Sequence, residues 1–345
     1  MRARRFNSPI RRVGEIVVFI ALSMALLAAT ARNSRADDDA RVDAGASRTP
    51  TVARHLPPGV PQGYVVTPFG YSHLSCVRAV AAGETLLADG RIQAADGRVQ
   101  PSPACGHPRY RPDGIRIDPS AWPGDAVYDK RGHAPSANGW LEASWYHGSA
   151  PFGGVNAKWL VPSPPASDVG QVLYYFPGLE DYEHVVTILQ PVLAWNGFND
   201  HAWSIASWNC CISGNVNYSY PVAVATGDMI AGAITGDCPA AQVCSRWDIV
   251  TADTTRATQS VLRRTSNNGQ RFDWAFAGVL EVYGVGACSQ YSSNGFVDFT
   301  NVVLDDVGDK PIAHVPWAPS GLMVPNPPTC NYGVSVTPTS ASLTF

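Results

Sequence analysis

Between Asn138 and Leu304 no stretch of the sequence sustains the apolar spacing of an amphipathic helix, and that narrows the fold more than any other feature. In its place come short runs of β-branched and aromatic residues. Examples are Val172-Leu173-Tyr174-Tyr175-Phe176, Trp203-Ser204-Ile205-Ala206-Ser207-Trp208, Met229-Ile230-Ala231-Gly232-Ala233-Ile234 and Trp247-Asp248-Ile249-Val250, separated by Gly, Asn, Asp and Pro. Runs of this length form strands, and many in succession predict an all-β chain, a β-sandwich or jelly roll. No internal repeat points to a solenoid or propeller.

Two of these runs carry a polar residue among apolar ones: Gln190 in Thr187 to Leu193, and Glu281 in Ala277 to Tyr283. Strand side chains alternate between faces. Leu189, Leu193 and Trp195 therefore point one way and Gln190 the other. Likewise Leu280 and Val282 share one face, while Glu281 shares the opposite face with Val279 and Tyr283. A carboxyl and a carboxamide on the non-core face of a sheet, meeting in an open groove, are the least that amide hydrolysis by an activated water requires.

The chain of 345 residues is long enough for one large core and a smaller unit. Residues 1–36 read as a signal peptide: Arg2, Arg4, Arg5, Arg11 and Arg12 precede the apolar stretch Ile16 to Ala31, with small-residue sites at Ala29-Thr30-Ala31 and Ser34-Arg35-Ala36. An uncleaved anchor is the alternative. The expected location is extracellular or periplasmic, with no membrane association after signal removal. In an exported chain the 8 cysteines suggest disulfides, with Cys76–Cys105 and Cys238–Cys244 the first local pairings to consider. No CxxC or HExxH spacing points to zinc, so no zinc site is expected. Residues 136–345 hold 7 Lys and Arg against 16 Asp and Glu, which argues against nucleic acid as a partner.

Residues 37–63 read as a flexible leader and 64–118 as a small β-rich unit, broken by turns at Asp89-Gly90, Asp96-Gly97 and Asp113-Gly114. Residues 119–137 read as a linker, 138–308 as the main sandwich, and 309–345 as a Pro, Ser and Thr-rich tail, draped or partly disordered. The 64–118 unit lacks the negative charge of the main domain. It is open to reading as a pro-segment that masks an acidic cleft, or as a permanent accessory domain.

Taken in order, the runs of residues 138–304 resemble the eqolisin (peptidase G1) family of glutamic endopeptidases. The resemblance rests on Asn138-Gly139-Trp140-Leu141-Glu142-Ala143, Val155 to Ser163 with its Val161-Pro162, Leu173 to Leu179, Ile188-Leu189-Gln190, Ala202-Trp203 through Trp208, Gly227-Asp228-Met229-Ile230 and Val279 to Tyr283. It implies a concanavalin-like antiparallel β-sandwich with a cleft on its concave face. It further implies Glu281 as general base and Gln190 as the group that orients the water and stabilises the oxyanion, with no cofactor. The implied partner is a polypeptide substrate, for a chain expected to be monomeric. Trp140, Trp203 and Tyr175 are the candidates for lining the substrate cleft, ahead of Trp208. The chain departs from the family at Ser204-Ile205-Ala206-Ser207, where an acidic residue is expected between the tryptophans, and at Pro191, which hints at an edge or a bend.

Other readings stand beside this one. The same fold without catalysis would be a carbohydrate- or surface-binding jelly roll using exposed tryptophans. A glycosidase would need two carboxylates flanking the bond, and the Glu281 strand offers one. Glu180-Asp181-Tyr182-Glu183 is acidic enough to consider calcium. His184 and His201 read as loop residues, and Asn217-Tyr218-Ser219 fits a glycosylation acceptor.

Overall fold

Strand alternation recurs through the computed structural model, which describes residues 49–54, 56–117, 138–183, 187–198, 201–239, 243–324 and 327–345. The signal-like residues 1–36, the start of the leader, the linker 119–137 and His184 lie outside these. The chain divides into two units, Met1–Ala44 and Gly45–Phe345, and every described residue belongs to the second. No helix among the described residues is long and apolar enough to cross a membrane.

The N-terminal segment supplies β1 (Tyr64–Thr67), β2 (Gly70–His73), β3 (Val77–Val80), β4 (Thr85–Leu86), β5 (Ile92–Gln93), β6 (Val99–Gln100), β7 (Arg109–Tyr110) and β8 (Arg116–Ile117). The following strands are β9 (Gly139–His147), β10 (Phe152–Leu160), β11 (Val172–Glu180), β12 (Ile188–Trp195), β13 (Trp203–Ile212), β14 (Asn215–Ser219), β15 (Val222–Ala223) and β16 (Met229–Asp237). Then come β17 (Arg246–Asp253), β18 (Thr258–Ser266), β19 (Trp274–Tyr283), β20 (Phe296–Asp306), β21 (Ala318–Gly321), β22 (Gly333–Thr337) and β23 (Ser340–Thr344).

Two large sheets make the sandwich. One runs β22-β23-β20-β10-β16-β17-β18-β4-β5-β6 and the other β21-β9-β19-β11-β12-β13-β14-β3, with β15 on β13. The core between them takes alternate residues from each strand: Leu173, Tyr175, Leu189, Leu193, Leu280 and Val282 from the second sheet, Val155, Trp159, Ile230 and Ile249 from the first. Removing such side chains from water stabilises the sandwich by about 1.5–3 kcal/mol each. Some polar groups inside the core are paired across it. The Ser207 hydroxyl on β13 lies 2.9 Å from that of Thr251 on β17 and donates to the Ser260 carbonyl at 2.9 Å.

Pro191 does not mark an edge. β12 is interior, between β11 and β13, with Pro191 opposite Ser207. The flanking pairs Tyr175↔Leu193 and Leu179↔Leu189 put Pro177 of β11 opposite Pro191, where this ladder lapses. β11 also shifts register against β19 between Phe176 and Gly178. Neither proline has an N–H to lose, so the interruptions fall where they cost least.

Both ends of the described chain are more ordered than composition suggests. The tail from 309 carries three strands: β21 pairs with β9, and β23 lies between β20 and β22, with Phe345 in the core. Within the leader, Thr51, Ala53 and Val60 are buried and Val52 bridges to Val65. The N-terminal segment is built into the fold as well, because β3 extends one sheet in parallel beside β14 and β4 extends the other beside β18. Its remaining strands form the sheet β1-β2-β7-β8. Disulfides join Cys76 to Cys105, Cys238 to Cys244, Cys288 to Cys330 and the neighbours Cys210 and Cys211.

Candidate active site

The outer face of the second sheet carries its own apolar cluster, which includes Tyr174, Phe176, Val192, Trp208, Phe276 and Val279 from the sandwich and Tyr64, Val66, Tyr71 and Tyr110 from the N-terminal segment. Gln190 and Glu281 belong to this face by alternation, and both are completely buried. The expected open groove is therefore covered, and the chain's own N-terminal segment covers it.

Glu281 stands opposite Tyr174 of β11. The Tyr283 hydroxyl, two residues on and on the same face, donates to its Oε1, and the Trp140 indole N–H donates to its Oε2 at 3.2 Å. Burial pushes the Glu281 carboxyl up to about 8, although both hydrogen bonds pull the other way. The tyrosine is raised too, by burial first and by Glu281 second. Gln190 donates from Nε2 to the Pro68 carbonyl at 3.0 Å, and its Oε1 has no partner. The two residues make no direct contact. The pair Leu179↔Leu189 places Gln190 opposite Gly178, four residues from Tyr174 along the strand between them. Their Cα atoms are thus offset by about 13 Å along that strand and two strand spacings, about 9.5 Å, across it. Those are backbone offsets, and the reach of both side chains narrows the gap between their polar groups.

A peptide segment fills it. The turn between β1 and β2 brings Pro68 to Gln190, while the Gly70 amide donates to the Tyr283 hydroxyl at 2.8 Å. The Tyr174 hydroxyl donates to the Val66 carbonyl at 3.3 Å, and the Tyr71 ring meets that of Tyr283 edge-on at 5.3 Å.

Of the candidate cleft residues, Trp140 lies beside Glu281, packed edge-on against Phe276 at 4.8 Å. Tyr175 and Trp203 do not join it. They face the inter-sheet core, where the Tyr175 hydroxyl meets that of Ser292 at 3.0 Å and Trp203 packs on Trp195 at 5.3 Å. The reason is strand parity: Tyr174, not Tyr175, is on the Glu281 face. Trp208 is on that face, but stacked against Tyr218 at 4.9 Å. Asn217 is buried in β14, so in the folded chain it is no glycosylation acceptor. His201 is exposed and pairs with Asp168 at 2.6 Å.

Two participants escaped sequence reasoning. Tyr283 had been placed on the Glu281 face without a role. Glu180, at the head of the acidic cluster, is fully buried with both carboxyl oxygens unpartnered, its pKa raised by burial, then by Glu281, then by Asp181. Next to it the Asp181 carboxylate accepts from the amides of Glu183 and Arg271, both at 3.0 Å. Among the described residues no group of three or more His, Cys, Asp or Glu is placed to hold a metal ion.

No family model matches this chain, and no curated protein matches it. Among solved structures it is similar to scytalido-glutamic peptidase with a transition state analog inhibitor, at 15% identity and TM-score 0.46, over 60% of this chain and 98% of that one. It is similar to SCP-B, a member of the eqolisin family in complex with the tripeptide Ala-Ile-His, at 16% identity and TM-score 0.44, over 60% and 98%. Aspergilloglutamic peptidase from Aspergillus niger follows at 15% identity and TM-score 0.32, over 50% and 98%. Likenesses of this strength bear neither on activity nor on the role of any residue.

Proposed function

We propose that this chain is an exported glutamic endopeptidase, acting in acid on polypeptides through Glu281 and Gln190. One observation carries the reading: the Gln190 amide donates to a peptide carbonyl on the same sheet face where Tyr283 and Trp140 hold the Glu281 carboxyl. In hydrolysis the Glu281 carboxylate takes a proton from water as the water oxygen bonds to the substrate carbonyl carbon. The carbonyl oxygen becomes an oxyanion that accepts from Gln190 Nε2. Collapse of this intermediate breaks the C–N bond, and the Glu281 proton passes to the leaving amine. No cofactor enters the step.

Glu281 must be ionised to act as base. Buried, with its carboxyl pushed up to about 8, it holds its proton in acid. Exposure to water in an opened groove returns it toward an ordinary glutamate value of about 4.3, low enough for a base at about pH 4. The rival reading, a silent binder of carbohydrate, finds none of Trp140, Trp203 and Trp208 exposed in the closed chain, and only Trp140 and Trp208 lie on the face that opening would uncover.

The test is cleavage of a denatured protein at about pH 4 by the opened chain. Glu281→Gln and Gln190→Ala are each expected to abolish it with the near-UV spectrum unchanged. Cleavage that survives both substitutions ends the proposal.

A further inference from the structure

We infer that the turn Thr67-Pro68-Phe69-Gly70 is the groove's own peptide ligand, seated where a polypeptide substrate would lie and keeping the full chain latent until it withdraws. The inference rests on the peptidase reading only for what the groove does once open.

The contacts are those of a bound peptide. Main-chain groups of the segment meet side chains of the face: the Pro68 carbonyl takes the Gln190 amide, the Gly70 amide reaches Tyr283, and the Val66 carbonyl takes the Tyr174 hydroxyl. The ends of the occupant thus sit on the carboxamide and on the hydroxyl that serves Glu281, spanning the gap between the two candidate catalytic groups. Recognition through main-chain carbonyl and amide points to peptide substrates as a class, read by backbone rather than by one demanding side chain.

The turn is also shaped in advance. Gly70 has φ +101°, and a Cβ there would overlap the Tyr110 carbonyl oxygen. The Thr67 hydroxyl closes the turn by donating to the Gly70 carbonyl at 2.9 Å. Such a rigid insert loses little entropy on docking.

No disulfide ties it to the sandwich. Cys76–Cys105 lies wholly within the N-terminal segment and the other three disulfides wholly within the sandwich, so covalently the segment reaches the sandwich only through residues 118–137. Beyond the turn, it holds to the sandwich through the edge pairings of β3 on β14 and β4 on β18, and through Val80, Leu86 and Ile92 in the inter-sheet core. Three hydrogen bonds of 3.0 Å add to these: the Cys105 amide to the Ser213 carbonyl, the Thr51 amide to the Gly197 carbonyl and the Asn215 side-chain amide to the Pro103 carbonyl. The closed state also carries a cost. The Arg109 guanidinium is nearly buried, 5.3 Å over the Phe69 ring and 2.9 Å from the Cys211 sulfur, with no carboxylate in ion-pair reach among the described residues. Withdrawal would return that cation to water.

The test compares the full chain with two full-length variants. Gly70→Val cannot keep this backbone beside Tyr110, and the milder Thr67→Val removes the hydroxyl that closes the turn. Amide hydrogen exchange over residues 66–72 reads the seat, and anisotropy of a labelled peptide of residues 64–73 reads the vacated groove. The unaltered chain is expected to protect Gly70 and ignore the peptide, whereas both variants lose protection and bind it at least about tenfold more tightly. Should Gly70→Val fail to fold by near-UV dichroism, Thr67→Val alone carries the comparison. Peptide binding by the variants without hydrolysis upholds the occupant and defeats the peptidase reading. An unprotected Gly70 in the unaltered chain, or peptide binding equal in all three proteins, overturns the inference.

Discussion

Glu142 offers a test of the core that leaves the candidate catalytic groups untouched. It lies on the inter-sheet side of β9, opposite Leu280, and is inaccessible to solvent. Its Oε1 accepts the Gly333 amide at 2.7 Å and its Oε2 has no partner. Burial pushes its pKa from 4.5 up to about 8, against the opposing pull of the Gly333 hydrogen bond. The folded chain therefore grips this proton harder than the unfolded chain does. Stability from Glu142 is fully present below its ordinary pKa and drains away as pH rises through the interval up to about 8. The whole shift would be worth about 5 kcal/mol, and since real interiors screen charge better than dry protein, about 2 kcal/mol is expected. Glu142→Gln keeps the acceptor for Gly333 and cannot ionise. Its melting temperature should match that of the unaltered chain at about pH 4 and exceed it by about 4–6 °C at about pH 9. Glu180 and Glu281 titrate in both proteins, so the difference between them isolates Glu142. A difference independent of pH, or a variant less stable at about pH 9, would refute the argument.

Two further expectations concern the sandwich. Ser207→Ala should cost about 1–2 kcal/mol in urea unfolding by breaking its link to Thr251, and a double-mutant cycle with Thr251→Val should give a coupling of about 1 kcal/mol. A coupling near zero would mean the bridge contributes nothing. Gly278→Ala puts a methyl group into the Phe299 ring. It should cost about 1–3 kcal/mol, with Phe299→Leu restoring part of it, and an unchanged urea midpoint would show that this packing yields freely.

Much of this protein was legible in its residues because strand alternation is local. The segregation of Leu189 and Leu193 from Gln190, and of Leu280 and Val282 from Glu281, appears in the cores as the spacing required. The same rule, applied to Tyr175, would have kept it out of the cleft, since Tyr174 is the residue in phase with Glu281 across the ladder. Composition misled where it was asked to speak for packing. The Pro, Ser and Thr-rich tail forms strands because its alternate residues Ala341 and Leu343 find a core. Pro191 is tolerated inside a sheet because another proline faces it across the lapse in the ladder.

Which side chains share a face follows from neighbours two positions apart, and the sequence alone determined that much. What lies on the face was decided by tertiary structure. Pro68 meets Gln190 across 122 positions and Gly70 meets Tyr283 across 213. No periodicity connects residues so distant, and only the closing of the N-terminal segment over the sheet turned an expected groove into an occupied one.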